Sequence, residues 1–287
     1  MNLFKVILVA AIALLFPSCV TACTTNERAH RDLINSLKTS DYVKYVMNLT
    51  DRGCFVHKDP YASRSQPIEY GGRILDPNTH ARILEILSIS LTNGARALVL
   101  ESGSGYLSAC LSIMTGRNGV TISVPPSNQL LSLAKNNIQS WAKHTKTLQS
   151  LRLKPGEQIK FMNRGDKQAW LSSGPYNGIF VHNTGGGISV AELANTLKVG
   201  GRLVGLEGDF GGQQELFMIE HYPRGSLRRV SIMTFTGVAS PDSYYPVTQD
   251  TTISDEFQFA SIQVKCIPDS RVLISLCITI VLFISLF

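Results

Sequence analysis

The chain has 287 residues, of which 44% are hydrophobic, and a formal net charge of +6. This length supports one full-sized hydrophobic core, and the lack of internal repeats and low-complexity tracts excludes solenoid, fibrous and disordered proteins. The 27 basic residues are scattered among 21 acidic ones, which favours a solvated surface and argues against nucleic-acid binding.

The N-terminal segment 1–22 is predicted to be a secretory signal peptide. Lys5 precedes the apolar run 6–16, and Val20-Thr21-Ala22 offers the small residues that favour cleavage after Ala22. A buried N-terminal helix is one alternative. Another is a bacterial lipoprotein cleavage box, in which Cys23 would carry the lipid.

The next part of the chain is predicted to be helical with one long loop. Apolar residues recur at helical spacing over 28–48, and a loop rich in Ser, Gly and Pro follows over 61–76. Pro77 begins a further helix, which is expected to stop at the breaker pair Asn93-Gly94.

The stretch 97–114 is the segment around which the chain is organised. Apolar residues 97–100 predict a buried strand, Ser102-Gly103-Ser104-Gly105 predicts a tight turn, and Leu107 begins an apolar helix. Glycines let the backbone approach a ligand, and a helix N-terminus offers free N–H groups. This unit is typical of a nucleotide-binding α/β fold.

Strands and helices keep alternating after this unit. Further strands are predicted over 119–124, 159–162, 178–182 and 199–204, with helices over 128–140 and 191–197. The segments 216–220 and 230–235 flank Pro223-Arg224-Gly225 and predict a terminal hairpin. The pattern predicts an α/β fold with a doubly wound, mostly parallel, Rossmann-like sheet whose last strand is antiparallel. It forms one domain over 28–250.

The C-terminal end predicts attachment to a membrane. A polar spacer covers 251–271, and 272–287 is an uncharged apolar tail, shorter than the ~20 residues of a usual spanning helix. Two alternatives remain open: a glycolipid-anchor signal with its attachment site near Ala260 or Ser261, and a tail anchor. Either one places the domain in the secretory pathway, extracellular or at the cell surface.

Cysteine usage is compatible with that compartment. Cys19 lies in the predicted signal and Cys277 in the tail, so the four remaining cysteines allow three pairings. One of these four, Cys110, lies on the apolar face of the helix after the glycine turn and is expected to be a core thiol. Asn48-Leu49-Thr50 is a glycosylation sequon if the chain is secreted.

Residues spread through the chain carry a family resemblance. They are Thr50-Asp51-Arg52, Asp59-Pro60-Tyr61, Ile74, Pro77, His80, Gly94-Ala95, Leu107, Ala109-Cys110, Asn136-Asn137, Pro175-Tyr176, 197–203 and Pro246-Val247-Thr248. With the glycine turn, they make the chain from about Arg28 to Thr248 resemble the protein-L-isoaspartate O-methyltransferase family. The resemblance implies a seven-stranded methyltransferase sheet, S-adenosylmethionine as cofactor, and isoaspartyl-containing proteins or peptides as substrates.

The resemblance also implies which residues form the cofactor site. The glycine turn, with Gly103 and Gly105, would pass close to the cofactor. Cofactor-contact positions are retained at Ile74, His80, Ser104 and Thr248. The strand-end segment His182-Asn183-Thr184 is a further candidate for lining the pocket.

Several positions depart from the family pattern, which has an acid at Val99 and a glycine at Glu101. The acid expected on the ribose hydroxyls falls on Pro125. The acid near the adenine falls on Gly165, although Asp166 is adjacent.

A further departure lies at the methyl-transfer site. The family's Thr-Ile-Ser reads Arg73-Ile74-Leu75, so Leu75 stands where the family has a serine. Proline at 125, the position of the ribose acid, cannot make a charge-assisted bond to the ribose hydroxyls. Losing that bond would weaken cofactor binding by about tenfold or more.

Three functional hypotheses follow. The first is a monomeric isoaspartyl methyltransferase that is weakly active or inactive. The second is a non-catalytic cell-surface or secreted binding protein on the same fold. The third is a methyltransferase for another substrate, since fold alone does not fix activity. No His/Cys spacing in the sequence predicts a metal site.

Overall fold

The computed structural model describes residues 23–182, 188–208 and 212–236. The predicted signal peptide, the polar spacer, the apolar tail and Thr248 lie outside these ranges, as do Asn183 and Thr184. None of the helices within these ranges combines the length and apolarity that crossing a bilayer requires.

Helices flank the central sheet. The described helices are α1 (Glu27–Ser36), α2 (Asp41–Leu49), α3 (Pro77–Ser88), α4 (Tyr106–Thr115), α5 (Asn128–His144), α6 (Thr147–Ser150), α7 (Pro155–Gln158), α8 (Lys167–Ser172) and α9 (Val190–Ala194). Short 3₁₀ turns cover Arg52–Cys54, Glu69–Gly71 and Pro223–Gly225.

The strands form one small and one large sheet. In chain order they are β1 (Gln66–Pro67), β2 (Arg73–Ile74), β3 (Arg96–Leu100), β4 (Val120–Val124), β5 (Ile159–Phe161), β6 (Tyr176–His182), β7 (Leu197–Gly208), β8 (Gln213–His221) and β9 (Leu227–Thr236). β1 and β2 pair antiparallel within the loop predicted over 61–76.

The large sheet confirms the predicted fold class. Within the described ranges it has seven strands in the order β5-β4-β3-β6-β7-β8-β9. β3 to β7 are parallel, β8 runs antiparallel to β7, and β9 pairs antiparallel with β8. The chain leaves β3 first towards β4 and later returns to β6 on its other side. The carboxyl ends of β3 and β6 therefore form the switch point at which open α/β sheets bind ligands.

The alternating apolar residues of β3 contact two hydrophobic layers, one on each face of the sheet. Leu98 and Leu100 belong to the layer containing Trp170, whereas Val99 belongs to the layer containing Leu107. The predicted burial of β3 and α4 is confirmed.

The helix predicted over 28–48 was wrong in one respect: the structure divides it into α1 and α2. The Ser40 side chain caps α2 by accepting from the Val43 N–H at 3.4 Å. Glu85 of α3 accepts from the Ser40 N–H at 3.0 Å and from the Ser40 hydroxyl at 2.9 Å. These bonds favour a break, because a capping side chain satisfies N–H groups that a new helix start leaves unpaired.

Other predicted boundaries were wrong as well. Helix α3 ends at Ser88, before the predicted stop at Asn93-Gly94. Helix α5 runs to His144, four residues beyond the predicted end at Ser140. Helix α9 ends at Ala194, because Leu197 already begins β7. β7 is longer than predicted since it pairs with β6 on one side and β8 on the other.

The cysteine pairing is resolved between Cys23 and Cys54. Cys110 is a buried free thiol, as predicted. The disulfide uses the Cys23 sulfur, the atom that the lipoprotein alternative needs for a thioether.

Candidate active site

A glycine-rich turn connects β3 to α4 at the switch point. Gly103 and Gly105 have φ values of +51° and +86°, in the left-handed region that favours glycine. A Cβ on Gly103 would lie 3.0 Å from the Arg73 carbonyl oxygen, and one on Gly105 would lie 3.2 Å from the Ala134 Cβ. Both positions therefore require glycine for conformation and for space.

Hydroxyl and amide groups hold this turn against its neighbours. The hydroxyls of Ser102 and Ser108 each lie 2.9 Å from the Ser123 hydroxyl of β4. The Asn137 side-chain amide of α5 donates to the Ser104 carbonyl at 3.1 Å. The turn is thus fixed before any ligand binds.

Glu101 is the first residue of the turn, and its φ is +61°. A residue with a Cβ in this left-handed conformation costs about 1–2 kcal/mol relative to the same residue in a right-handed or extended conformation. Its N–H donates to the Val124 carbonyl at 2.9 Å, and its carboxylate forms an ion pair with Arg164. Burial raises the pKa of the Glu101 carboxyl to about 7, although the charge and the hydrogen bond of Arg164 act in the opposite direction.

The opposite wall comes from β2 and the first turn of α3, and Arg52 positions it. The Arg52 side chain is fully buried. It donates from Nε to the Pro60 carbonyl at 3.0 Å and from Nη2 to the Leu75 carbonyl at 3.2 Å. Its Nη1 lies 3.3 Å from His80 Nδ1. Because a guanidinium only donates, His80 Nδ1 accepts, and the proton of the neutral ring is on Nε2.

Two histidines beside this wall are neutral near pH 7. Burial, followed by the Arg52 charge and then His182, lowers the pKa of His80 well below its ordinary value. Burial and then the Arg73 charge lower the pKa of His182 to about 4. Neither imidazole therefore supplies a positive charge to the cleft.

These elements enclose a small cleft with a volume of about 20 Å³, enough for a single water molecule. Its lining residues are Arg73, Ile74, Leu75, His80, Val99, Glu101, Ser102, Ser104, Tyr106, Leu107, Phe180 and His182. Sites for drug-sized ligands measure about 300–1,000 Å³. A drug-sized ligand can therefore enter this cleft only if side chains that line it move.

The structure brings together six of the predicted site residues along this cleft: Arg73, Ile74, Leu75, His80, Glu101 and Ser104. Gly103 and Gly105 shape the adjoining turn, and His182 also lines the cleft.

The other predicted residues do not line it. Pro125 is buried just beyond the end of β4, and Gly165 and Asp166 are exposed in the turn before α8. Thr248 lies outside the described residues.

Sequence reasoning gave no role to Arg52, Tyr106, Phe180 or Arg164. The Arg52 guanidinium lies 5.3 Å from the centroid of the Tyr106 ring, which in turn packs 4.8 Å from the His80 ring. An arginine two residues before the apolar segment 54–56 was the one local signal for a buried cation. No local pattern indicated Arg164, because its partner lies 63 residues away.

Comparison with known sequences gives consistent relatives. The family described as Protein-L-isoaspartate(D-aspartate) O-methyltransferase (PCMT) matches residues 25–254. A Caenorhabditis elegans protein-L-isoaspartate O-methyltransferase is 34% identical over 175 residues, which cover 61% of this chain and 74% of that protein. The Arabidopsis thaliana protein-L-isoaspartate O-methyltransferase 1 is 34% identical over 216 residues, covering 75% and 86%.

Comparison with solved structures gives the same fold. A putative protein-L-isoaspartate O-methyltransferase from Plasmodium falciparum, crystallised with S-adenosyl-L-homocysteine, superposes with a TM-score of 0.57 at 23% identity. The match covers 73% of this chain and 97% of that one.

Proposed function

Because the chain belongs to the protein-L-isoaspartate(D-aspartate) O-methyltransferase family, we propose that it methylates isoaspartyl carboxylates with S-adenosylmethionine, at a low rate. One observation carries the proposal. Ile74, His80 and Ser104, the described cofactor positions that the resemblance retains, line one cleft beside the glycine turn.

The chemistry of the lining groups fits the charged end of this cofactor. Glu101 supplies an anion for the cofactor's cations, Ser104 a hydroxyl, and Ile74 and Leu107 apolar surface. The bound cofactor supplies a methyl group activated by its sulfonium. An ionised substrate carboxylate needs no general base, so neutral His80 and His182 are compatible with the reaction. The protein's main contributions are alignment and exclusion of water.

Arg73 is the proposed contact for the substrate carboxylate. It lines the cleft, and burial lowers the pKa of its guanidinium. It remains protonated at any physiological pH. Leu75 opposes substrate binding, because a carboxylate that approaches its apolar side chain loses water without gaining a hydrogen bond.

Pro125 supports low cofactor affinity. It follows β4 at the edge where the resemblance implies a carboxylate for the ribose hydroxyls, and proline offers neither a carboxylate nor an N–H. Asp166 is the nearby acid in sequence, but its side chain is exposed in the turn before α8.

We further propose that the domain functions in an oxidising compartment, the secretory pathway or the cell surface. The disulfide between Cys23 and Cys54 supports this, because disulfides persist mainly in secreted and extracellular proteins. Membrane attachment through the apolar tail belongs to the same proposal.

The test combines calorimetric titration with S-adenosylhomocysteine and methylation of an isoaspartyl peptide. We expect weak binding and slow turnover by the wild type. Pro125→Asp should tighten binding about tenfold or more, with a smaller gain in rate. Leu75→Ser alone should recover little turnover. Pro126→Asp is the matched control, because it adds the same charge one residue away.

Two results would contradict the proposal. Folded wild-type and variant proteins that bind no S-adenosylhomocysteine would favour the non-catalytic binding protein. Turnover of a second methyl acceptor, with the isoaspartyl peptide left unmodified, would favour a different substrate.

A further inference from the structure

An ion pair crosses the ligand-binding edge of the sheet. Glu101 directly follows β3, and Arg164 lies in the turn after β5. The strand order β5-β4-β3 places the end of β4 between them. The pair therefore spans the position of Val124 and Pro125.

Both partners are held from their backbones. The Glu101 N–H donates to the Val124 carbonyl at 2.9 Å, and the left-handed φ of +61° is kept despite the side chain. The indole Nε1 of buried Trp170 donates to the Arg164 carbonyl at 3.3 Å. The side chains of Arg164 and Glu101 are 31% and 13% exposed, so the pair is partly shielded from solvent.

Glu101 connects the ion pair to the ligand-binding cleft. Its carboxylate belongs to the lining of the cleft, together with Ser102 and Ser104. It is the only carboxylate among the described lining residues. A ligand with a cationic group that enters the cleft thus meets Glu101 already paired with Arg164.

We propose that the Glu101–Arg164 pair is a latch, and that the ammonium group of the cofactor opens it by replacing Arg164 as the partner of Glu101. This rests on the proposed function, because it takes an S-adenosyl amino acid as the ligand. Glu101 is then a binding residue, and Arg164 is a competitor for it.

The burial and exposure of the pair are compatible with such an exchange. Burial raises the pKa of Glu101 to about 7 even beside Arg164, so desolvation of the carboxylate outweighs the attraction of its partner. A bound ammonium would keep the carboxylate charged while Arg164, at the more exposed end of the pair, returns to water. The cleft volume of about 20 Å³ also requires that a lining group move.

The test is calorimetric titration with S-adenosylhomocysteine at pH 8, where Glu101 is mostly ionised. Arg164→Gln removes the competitor and should tighten binding several-fold. Glu101→Gln removes the binding group and should weaken binding about tenfold or more. The double variant should bind as weakly as Glu101→Gln alone, because Arg164 acts through Glu101. Arg202→Gln, which breaks the partly buried pair with Glu220 elsewhere on the sheet, should leave affinity unchanged.

Hydrogen exchange gives a readout that does not depend on activity. Arg164→Gln and Glu101→Gln should each speed exchange in the turn 162–167 of the ligand-free protein. Ligand binding to the wild type should speed exchange in that turn and slow it in 101–105.

The possible failures are distinguishable. If the wild type binds S-adenosylhomocysteine and Arg164→Gln binds it equally well or more weakly, the latch is overturned and the proposed function stands. If Glu101→Gln binds the ligand as tightly as the wild type or more tightly, the latch is also overturned, because Glu101 would then not contribute to binding. Absence of binding by the wild type and every variant overturns both.

Discussion

Replacing Arg52 tests the arrangement of the cleft wall most directly. Arg52→Met keeps the length and apolar stem of the side chain but removes every donor. The Leu75 carbonyl and His80 Nδ1 would each lose a partner in a buried site, and the Pro60 carbonyl would lose one in a part-buried site.

The magnitude follows from opposing contributions. Three acceptors that lose their partners cost at most about 1–1.5 kcal/mol each, or about 3–4.5 kcal/mol together. The variant no longer desolvates a fully buried guanidinium, which offsets part of that cost. We expect the free energy of unfolding to fall by about 2–4 kcal/mol.

Two measurements check this. Urea denaturation gives the free energy, and NMR titration gives the pKa of His80, which should rise because the Arg52 charge lowers it. That pKa should remain below the ordinary value, since burial and His182 still act. Arg52→Lys, which keeps the charge with fewer donors, should leave the pKa of His80 nearly unchanged. A loss below about 1 kcal/mol with an unaltered His80 pKa would refute this role of Arg52.

Three further predictions concern stability. Leu100→Ala, at a buried position in β3, should cost about 2–5 kcal/mol in urea denaturation, and a loss below ~0.5 kcal/mol would mean that this strand is misplaced. Replacing Cys23 and Cys54 by serine, 31 residues apart, should cost about 3–4 kcal/mol, whereas peptide mapping that finds both thiols free in native protein would contradict the pairing. The pKa of His182 is about 4 in the folded protein, below its unfolded value of about 6.5. Its contribution to stability should therefore be complete above pH 6.5 and decline by up to about 3 kcal/mol as pH falls towards 4; His182→Asn should flatten that decline, and an unchanged profile would exclude it.

Local patterns predicted the elements that depend on local sequence. The apolar run before Glu101 favours a buried strand, and glycine at 103 and 105 permits the left-handed turn that follows. The Pro77 start and the final hairpin were predictable for the same reason, because proline and turn residues act on their immediate neighbours.

The break between α1 and α2 shows where this reasoning stops. Apolar spacing continues through the break, so periodicity alone favoured one helix. Thr39 and Ser40 leave the helix because Glu85, in another helix, accepts their hydrogen bonds. A contact across 45 residues has no local signature.

The sequence by itself determined the α/β class and the glycine turn at its centre, whereas the departures from the family pattern at Leu75, Glu101 and Pro125 stay predictions from the resemblance. The tertiary structure alone decided that Cys23 pairs with Cys54, that Arg52 holds the wall bearing Leu75 and His80, and that Arg164 reaches Glu101. The physical reason is that periodicity and turn chemistry act over a few residues. Ion pairs, disulfides and buried hydrogen bonds join groups that become neighbours only once the strands have taken their order in the sheet.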